Sequence, residues 1–173
     1  MSPLSHLDEH GHAFMVDVTG KALTAREARV RCVVAHVPNS VGFLAREPAA
    51  LEEARLAGLG AAKATSSLIP LCHPLPLERL EVAFQLSAES IEVQATTATR
   101  GQTGVEMEAL TACALAAVSL LGVCRRHDPG ASVEELTLWE KRGGKSGEWQ
   151  RDESGAMRHE EAASDAEGRN LSP

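Results

Sequence analysis

The sequence predicts an α+β fold of the ferredoxin-like kind, βαββαβ, in which an antiparallel sheet carries two helices on one face. Three observations carry the prediction. Residues 80–86 and 91–98 alternate apolar and polar side chains on either side of Ser87-Ala-Glu-Ser90, which makes them a hairpin. Residues 105–126 form one long helix pattern, apolar on nearly every face from Ala109 to Cys124. A strand and a helix precede the hairpin and one strand follows the long helix, so the order closes as βαββαβ.

Each element has its own signal. Residues 1–13 read as a flexible, histidine-dotted arm, in which His6, His10 and His12 match no familiar metal-ligand spacing. Phe14-Met-Val-Asp-Val-Thr-Gly20 is a short extended segment ending in a turn. Arg29–Val37 is rich in β-branched residues and reads as the first strand, broken by Pro38-Asn39-Ser40. Residues 49–66 read as a helix, with Leu51, Ala54, Leu59 and Ala62 near helical spacing; Gly58 and Gly60 weaken that pattern. Val133–Glu140 is the last strand. Residues 14–149 thus form the expected domain, and the polar, acidic stretch 150–173 reads as a disordered tail.

Composition narrows the function classes. The chain has 173 residues, enough for one real core. A net charge of -7 leaves no surplus of cations for a nucleic-acid backbone, and 3% aromatic residues leave few stacking platforms for bases. No unbroken run of about 18 apolar residues marks a membrane span, and no targeting signal opens the chain. Cys32, Cys72, Cys113 and Cys124 show no CxxC spacing and read as reduced, mostly buried thiols, so a cytoplasmic protein is expected.

Three stretches carry possible chemistry. Leu68-Ile-Pro-Leu-Cys-His-Pro-Leu-Pro-Leu77 cannot be helical, and it sets Cys72 and His73 in an apolar, rigid loop. A buried crossover with a hydrogen-bonded histidine would read the same way. Glu106 and Glu108 stand in the first turn of the long helix, where the macrodipole favours anions; being two apart, they point to different faces. Lys141-Arg-Gly-Gly-Lys-Ser-Gly147 is glycine-rich and basic, suited to phosphate, but is not a Walker A loop. Lysine is scarce against thirteen arginines, and its four positions are Lys21, Lys63, Lys141 and Lys145.

Taken together, Phe14-Met-Val-Asp-Val-Thr-Gly-Lys21 with Thr24 and Arg26, Ala61-Ala-Lys63, the Pro-rich loop, Thr103-GVEMEALTA-112 and Gly143-GKSG-147 resemble the molybdenum cofactor biosynthesis protein C (MoaC) family, the cyclic pyranopterin monophosphate synthases. The resemblance runs from about residue 5 to 149. It implies a ferredoxin-like protomer, a homo-oligomer in which dimers build a hexamer, and an active site between subunits. The implied reaction is that of a phosphorus–oxygen lyase. It converts 3′,8-cyclo-7,8-dihydroguanosine 5′-triphosphate to cyclic pyranopterin monophosphate and pyrophosphate, with no metal and no organic cofactor. By the same resemblance Leu71, Cys72, His73, Met107 and Glu108 form the wall for the base, with Glu106 beside them. Lys21, Arg26, Lys63, Lys141 and Lys145 form the cationic set around the triphosphate, and Lys63 and His73 are the catalytic candidates. A purine-nucleotide or pterin ligand is expected, with neither nucleic acid nor membrane as partner.

The chain departs from the family pattern at two places. Where the family has Lys-Gly-Asp-Val before the first helix, this sequence reads Glu47-Pro-Ala-Ala50. Where the family has Asp-Met-Cys-Lys in the long helix, it reads Gly122-Val-Cys-Arg125, and residues 109–127 hold no carboxylate. An aspartate and two lysines are thereby replaced, and an arginine cannot give up a proton near neutrality. Two readings follow: a synthase, or a lyase of altered substrate, with rewired acid–base groups; or a non-catalytic paralogue that binds the pterin or nucleotide or partners an active homologue.

Overall fold

The computed structural model describes residues 7, 8, 10–144, 147–152 and 154–160. Its elements are β1 (Thr24–Ala35), α1 (Ser40–Leu44), α2 (Ala50–Leu68), β2 (Arg79–Leu86), β3 (Ile91–Gly101), α3 (Glu106–His127), β4 (Ser132–Arg142), β5 (Glu148–Arg151) and β6 (Met157–Glu160). They build one antiparallel sheet of order β2-β3-β1-β4-β5-β6. Its first four strands, with α2 and α3, are the expected ferredoxin-like arrangement.

Strand alternation decides which face the helices cover. Ala28, Val30, Cys32 and Val34 of β1 and Ile91, Val93 and Ala95 of β3 are buried, with Val30 opposite Ala95 and Cys32 opposite Val93. On this face Cys113 of α3 donates its thiol hydrogen to the Val93 carbonyl at 3.3 Å and lies 3.4 Å from the Cys32 sulfur, both cysteines being free thiols. Arg29 and Arg31 of β1 belong to a polar network on the opposite face. Arg29 reaches the buried Glu140 at 3.0 Å, and Arg142 reaches its other oxygen at 2.5 Å. Arg31 lies 4.3 Å over the Trp139 ring and donates to Gln94 at 3.1 Å.

Small residues bring the two long helices together. The buried positions of α2 are Ala50, Ala54, Gly58, Ala61, Ala62 and Thr65; those of α3 include Ala109, Ala112, Ala116 and Ala117. A β-carbon at Gly58 would lie 2.8 Å from the Ala112 carbonyl oxygen and 3.0 Å from Val82. The glycine that weakens the helix pattern is therefore the point of closest approach. α3 is long and apolar enough to cross a bilayer by length and composition, yet half of its apolar window is buried in the fold, as befits a core helix. Its outer side leaves Leu115 40% and Val118 53% exposed.

Several boundaries differ from the sequence reading. β1 starts at Thr24 because its polar beginning pairs with the end of β3, Thr24 opposite Gly101, and from Glu27 onward with β4 as well. It ends at Ala35, where His36 takes a φ of 58°. The break after Val37 contains α1, five residues and too short to show a period; Ser40 anchors it to the Ser87 carbonyl at 2.5 Å, and Phe43 stacks on His127 at 4.6 Å. The expected disordered tail from residue 150 is corrected for its first part: β5 and β6 add a polar hairpin to the β4 edge, with Trp149 opposite Lys141. Its turn is held by Asp152, whose carboxylate accepts the Ser154 and Ala156 N–H groups, a pattern invisible to hydrophobic alternation. Residues 161–173 lie outside the described residues. In the N-terminal arm, Leu7 bridges Ala13 and Asp8 accepts the His10 and His12 N–H groups.

The two helix glycines have opposite expected responses. Gly58→Ala forces α2 and α3 apart and costs about 1–3 kcal/mol. At Gly60 nothing lies within 4 Å of the added carbon, so Gly60→Ala stabilises by about 0.5–1 kcal/mol. Thermal melts of the two variants should move in opposite directions, by about 2–4 °C per kcal/mol.

Candidate functional site

Three segments converge on a cavity of about 340 Å³. The Pro-rich loop supplies Leu71, Cys72 and His73 as one wall. The turn before α3 and its first turn supply Gln102, Thr103, Gly104, Met107 and Glu108. The approach to β1 supplies Val16, Val18 and Lys21, and the start of β1 supplies Arg26. Seven of the residues singled out in the sequence thus line one space: Lys21, Arg26, Leu71, Cys72, His73, Met107 and Glu108.

The loop is held rigidly by few contacts. Thr99 of β3 donates its hydroxyl to the Pro76 carbonyl at 2.5 Å, and Glu78 N–H reaches the Ala98 carbonyl at 2.9 Å. Between Pro70 and Cys72, Leu71 adopts a φ of 65°, a left-handed conformation that costs a branched residue about 1–2 kcal/mol. The strain sits on the cavity wall, where surrounding contacts sustain a conformation the chain alone would avoid. On the opposite side, the Gln102 side chain donates to the Lys21 carbonyl at 3.1 Å and fixes the segment before β1.

The charges are divided. Lys21 and Arg26 form a cationic side, and the Arg26 Nε is buried without a hydrogen-bond partner. Glycine makes room for this guanidinium: a β-carbon at Gly144, where φ is 92°, would lie 1.9 Å from Arg26 Nη1. At the other side, Glu106 pairs with Lys141 at 2.5 Å, just outside the cavity lining. Its carboxylate folds over Gly104, where a β-carbon would lie 1.8 Å from Oε2. Glu108 is only 5% exposed. Burial pushes its carboxyl above the ordinary glutamate range, and the Glu106 charge adds to this, against the pull of its own backbone N–H. Burial also raises the Cys72 thiol, helped by the Glu108 charge, so Cys72 is a neutral wall residue rather than a thiolate.

Other candidates fall elsewhere. Lys63 is exposed on α2 and does not line the cavity. Lys145 lies outside the described residues. Gly122 and Arg125 are exposed on α3, and nothing lies within 4 Å of a β-carbon placed at Gly122. Among the described residues, no group of three or more His, Cys, Asp or Glu is placed to hold a metal ion. The sequence reading missed Val16, Val18, Leu75, Gln102, Thr103 and Gly104 as lining residues, although each neighbours or lies inside a segment it had marked.

Two variants test this geometry. Gly144→Ala drives the new methyl into Arg26 and should weaken binding of inorganic pyrophosphate about tenfold by calorimetry. Glu108→Gln tests burial of the carboxyl through stability. The folded state holds the Glu108 proton more tightly than the unfolded chain, so its favourable contribution is present at low pH and is lost as pH rises through the raised value. The variant should therefore melt higher than the parent at about pH 8, with the difference vanishing near about pH 4.

Comparison with known proteins agrees with this geometry. The MoaC family pattern matches residues 15–144. The cyclic pyranopterin monophosphate synthase of Bordetella avium (strain 197N) is 45% identical over 155 residues, covering 86% of this chain and 96% of the relative. That of Chloroflexus aurantiacus (strain ATCC 29366 / DSM 635 / J-10-fl) is 46% identical over 154 residues, covering 86% and 94%. That of Streptomyces avermitilis is 44% identical over 152 residues, covering 86% and 89%. The match spans all three segments of the cavity and most of both chains, so this chain belongs to the MoaC family.

Proposed function

We propose that this chain acts in molybdenum cofactor biosynthesis as a cyclic pyranopterin monophosphate synthase-type lyase, binding a cyclic purine-nucleotide triphosphate in the cavity. The observation that carries this reading is the convergence of the Pro-rich loop, the start of α3 and the Lys21–Arg26 side around one space. The apolar wall around His73 suits a purine-derived ring, and Lys21 and Arg26 suit a triphosphate. Breaking a phosphorus–oxygen bond releases pyrophosphate, whose charge these cations offset.

We further propose that the site is completed between two copies, in dimers that build a hexamer. Lys63 and Arg125 lie on exposed helix faces, close in sequence to the exposed Leu56, Leu115 and Val118. Apolar helix surface of this kind is what a second copy buries. A cytoplasmic location accords with four free cysteines.

A non-catalytic binding role is the second reading, and Gly122 and Arg125 favour it. Neither can take up and release a proton near neutrality, whereas the rearrangement requires proton transfers worth about 10²–10⁴-fold each.

Single-turnover pyrophosphate release from the cyclo-dihydroguanosine triphosphate separates these readings. Release that is lost in His73→Ala is expected for the synthase. Nucleotide binding without release, abolished in Lys63→Ala, identifies the binding paralogue. A one-to-one mixture of reassembled His73→Ala and Lys63→Ala chains should restore function in about one quarter of the sites if each site draws on two copies. No restoration makes each site the property of one chain.

A further inference from the structure

We propose that Cys32 and Cys113 form an oxidation site inside the core, at which a peroxide converts the two thiols to a disulfide that ties β1 to α3 and moves the α3 side of the cavity. The proposal does not depend on the ligand class proposed above.

The fold brings these two sulfurs together. They are 81 residues apart in sequence and 3.4 Å apart in space, and both are free thiols. Cys32 is 1% exposed on the helix-covered face of β1, and Cys113 is fully buried on α3. Val93, opposite Cys32 on β3, offers its carbonyl to Cys113 at 3.3 Å, so the pair sits where strand and helix meet.

The two thiols are unequal. The Cys113 hydrogen has two acceptors, the Val93 carbonyl and the Cys32 sulfur. Turned toward Cys32, it holds that thiol below its ordinary value, against burial and the Glu92 charge. The same hydrogen bond, with burial, holds Cys113 above its own. Cys32 is therefore the attacking sulfur and Cys113 the resolving one.

The electron balance closes with the peroxide as the oxidant. The Cys32 sulfur attacks a peroxide oxygen; an S–O bond forms, the O–O bond breaks, and one water leaves with the Cys32 proton. The Cys113 sulfur then attacks the Cys32 sulfenic acid; the S–S bond forms, the S–O bond breaks, and a second water carries off the Cys113 proton. The thiol pair gives up two electrons and the peroxide takes both. Thiol reductants of the cytoplasm reverse the change.

Burial sets the pace and the product. Oxidant reaches the pair only when α3 opens locally from β1, so the reaction is slow. Once Cys32 is oxidised, its resolving partner is already in place. A disulfide is about 2.0 Å long, so closure from 3.4 Å draws the sulfurs together by about 1.4 Å. α3 is one continuous helix, and Met107 and Glu108 of the cavity lie within two turns of Cys113. A packed helix shifts as a body, so the displacement reaches the cavity.

Peptide mapping by mass tests the site. The full chain is treated with hydrogen peroxide below its unfolding midpoint, then denatured and alkylated. A cross-linked peptide pair holding Cys32 and Cys113, two hydrogens lighter and restored by dithiothreitol, is expected. Oxidation confined to Cys72, the half-exposed thiol of the cavity wall, overturns the proposal, as does a cross-link that forms only in unfolded chain. Methionine-methyl NMR reads the consequence without any ligand, on oxidised samples whose methionines are intact by mass. The Met107 resonance, assigned through Met107→Leu, should move on oxidation and return on reduction. A cross-link that leaves it in place overturns the link to the cavity. Cys32→Val keeps the core filled and should abolish cross-link and shift together; a shift that survives in this variant overturns the proposal.

Discussion

The cavity depends on where α3 begins, and that is set by how closely α3 can lie against α2. With Gly58 next to the Ala112 carbonyl and alanines on both helices, the two pack backbone to backbone over the sheet. Larger residues would lift α3 and carry its first turn, with Met107 and Glu108, away from the Pro-rich loop. Helix propensity is given up at Gly58 for this approach, about 1 kcal/mol relative to alanine. The loss is local and the gain is positional.

The sheet supplies the other fixed points. β3 anchors the Pro-rich loop through Thr99, and its Thr97 donates to the Val105 carbonyl at 2.9 Å, just before α3. One strand therefore holds two of the three cavity segments. The third, with Lys21 and Arg26, runs into the start of β1, which pairs with β3 from Thr24 to Val34. The Arg29–Glu140–Arg142 group on the far face ties β4 to β1 and so places the glycine pair Gly143–Gly144 against Arg26.

Much of this was legible in the sequence because its signals were periodic or composed of unusual residues. The hairpin of β2 and β3 and the greasy α3 were read within a few residues of their observed ends. The scarce lysines and the Pro-rich loop pointed to Lys21, Cys72 and His73. The unread features are those that periodicity does not encode. α1 is too short, β5 and β6 are short polar strands joined by an Asp152 turn, and Leu71's positive φ comes from its tertiary surroundings. Gly58 was read as a defect because a sequence does not show what stands opposite it. Lys63 matched the family motif, yet one chain holds it on the outer face of α2.

The Glu106 carboxylate folded over Gly104 has a bearing on ligand orientation. The amino end of a helix is ordinarily a ready seat for phosphate. Here α3 has filled that seat from its own chain, and the Lys141 ammonium secures the occupant. Negative charge therefore stands at the helix end, and the unpaired positive charge of the lining belongs to Lys21 and Arg26 on the β1 side. The cavity is thus polarised before anything enters it: the helix end that borders it carries its own carboxylate, and the lining cations are Lys21 and Arg26.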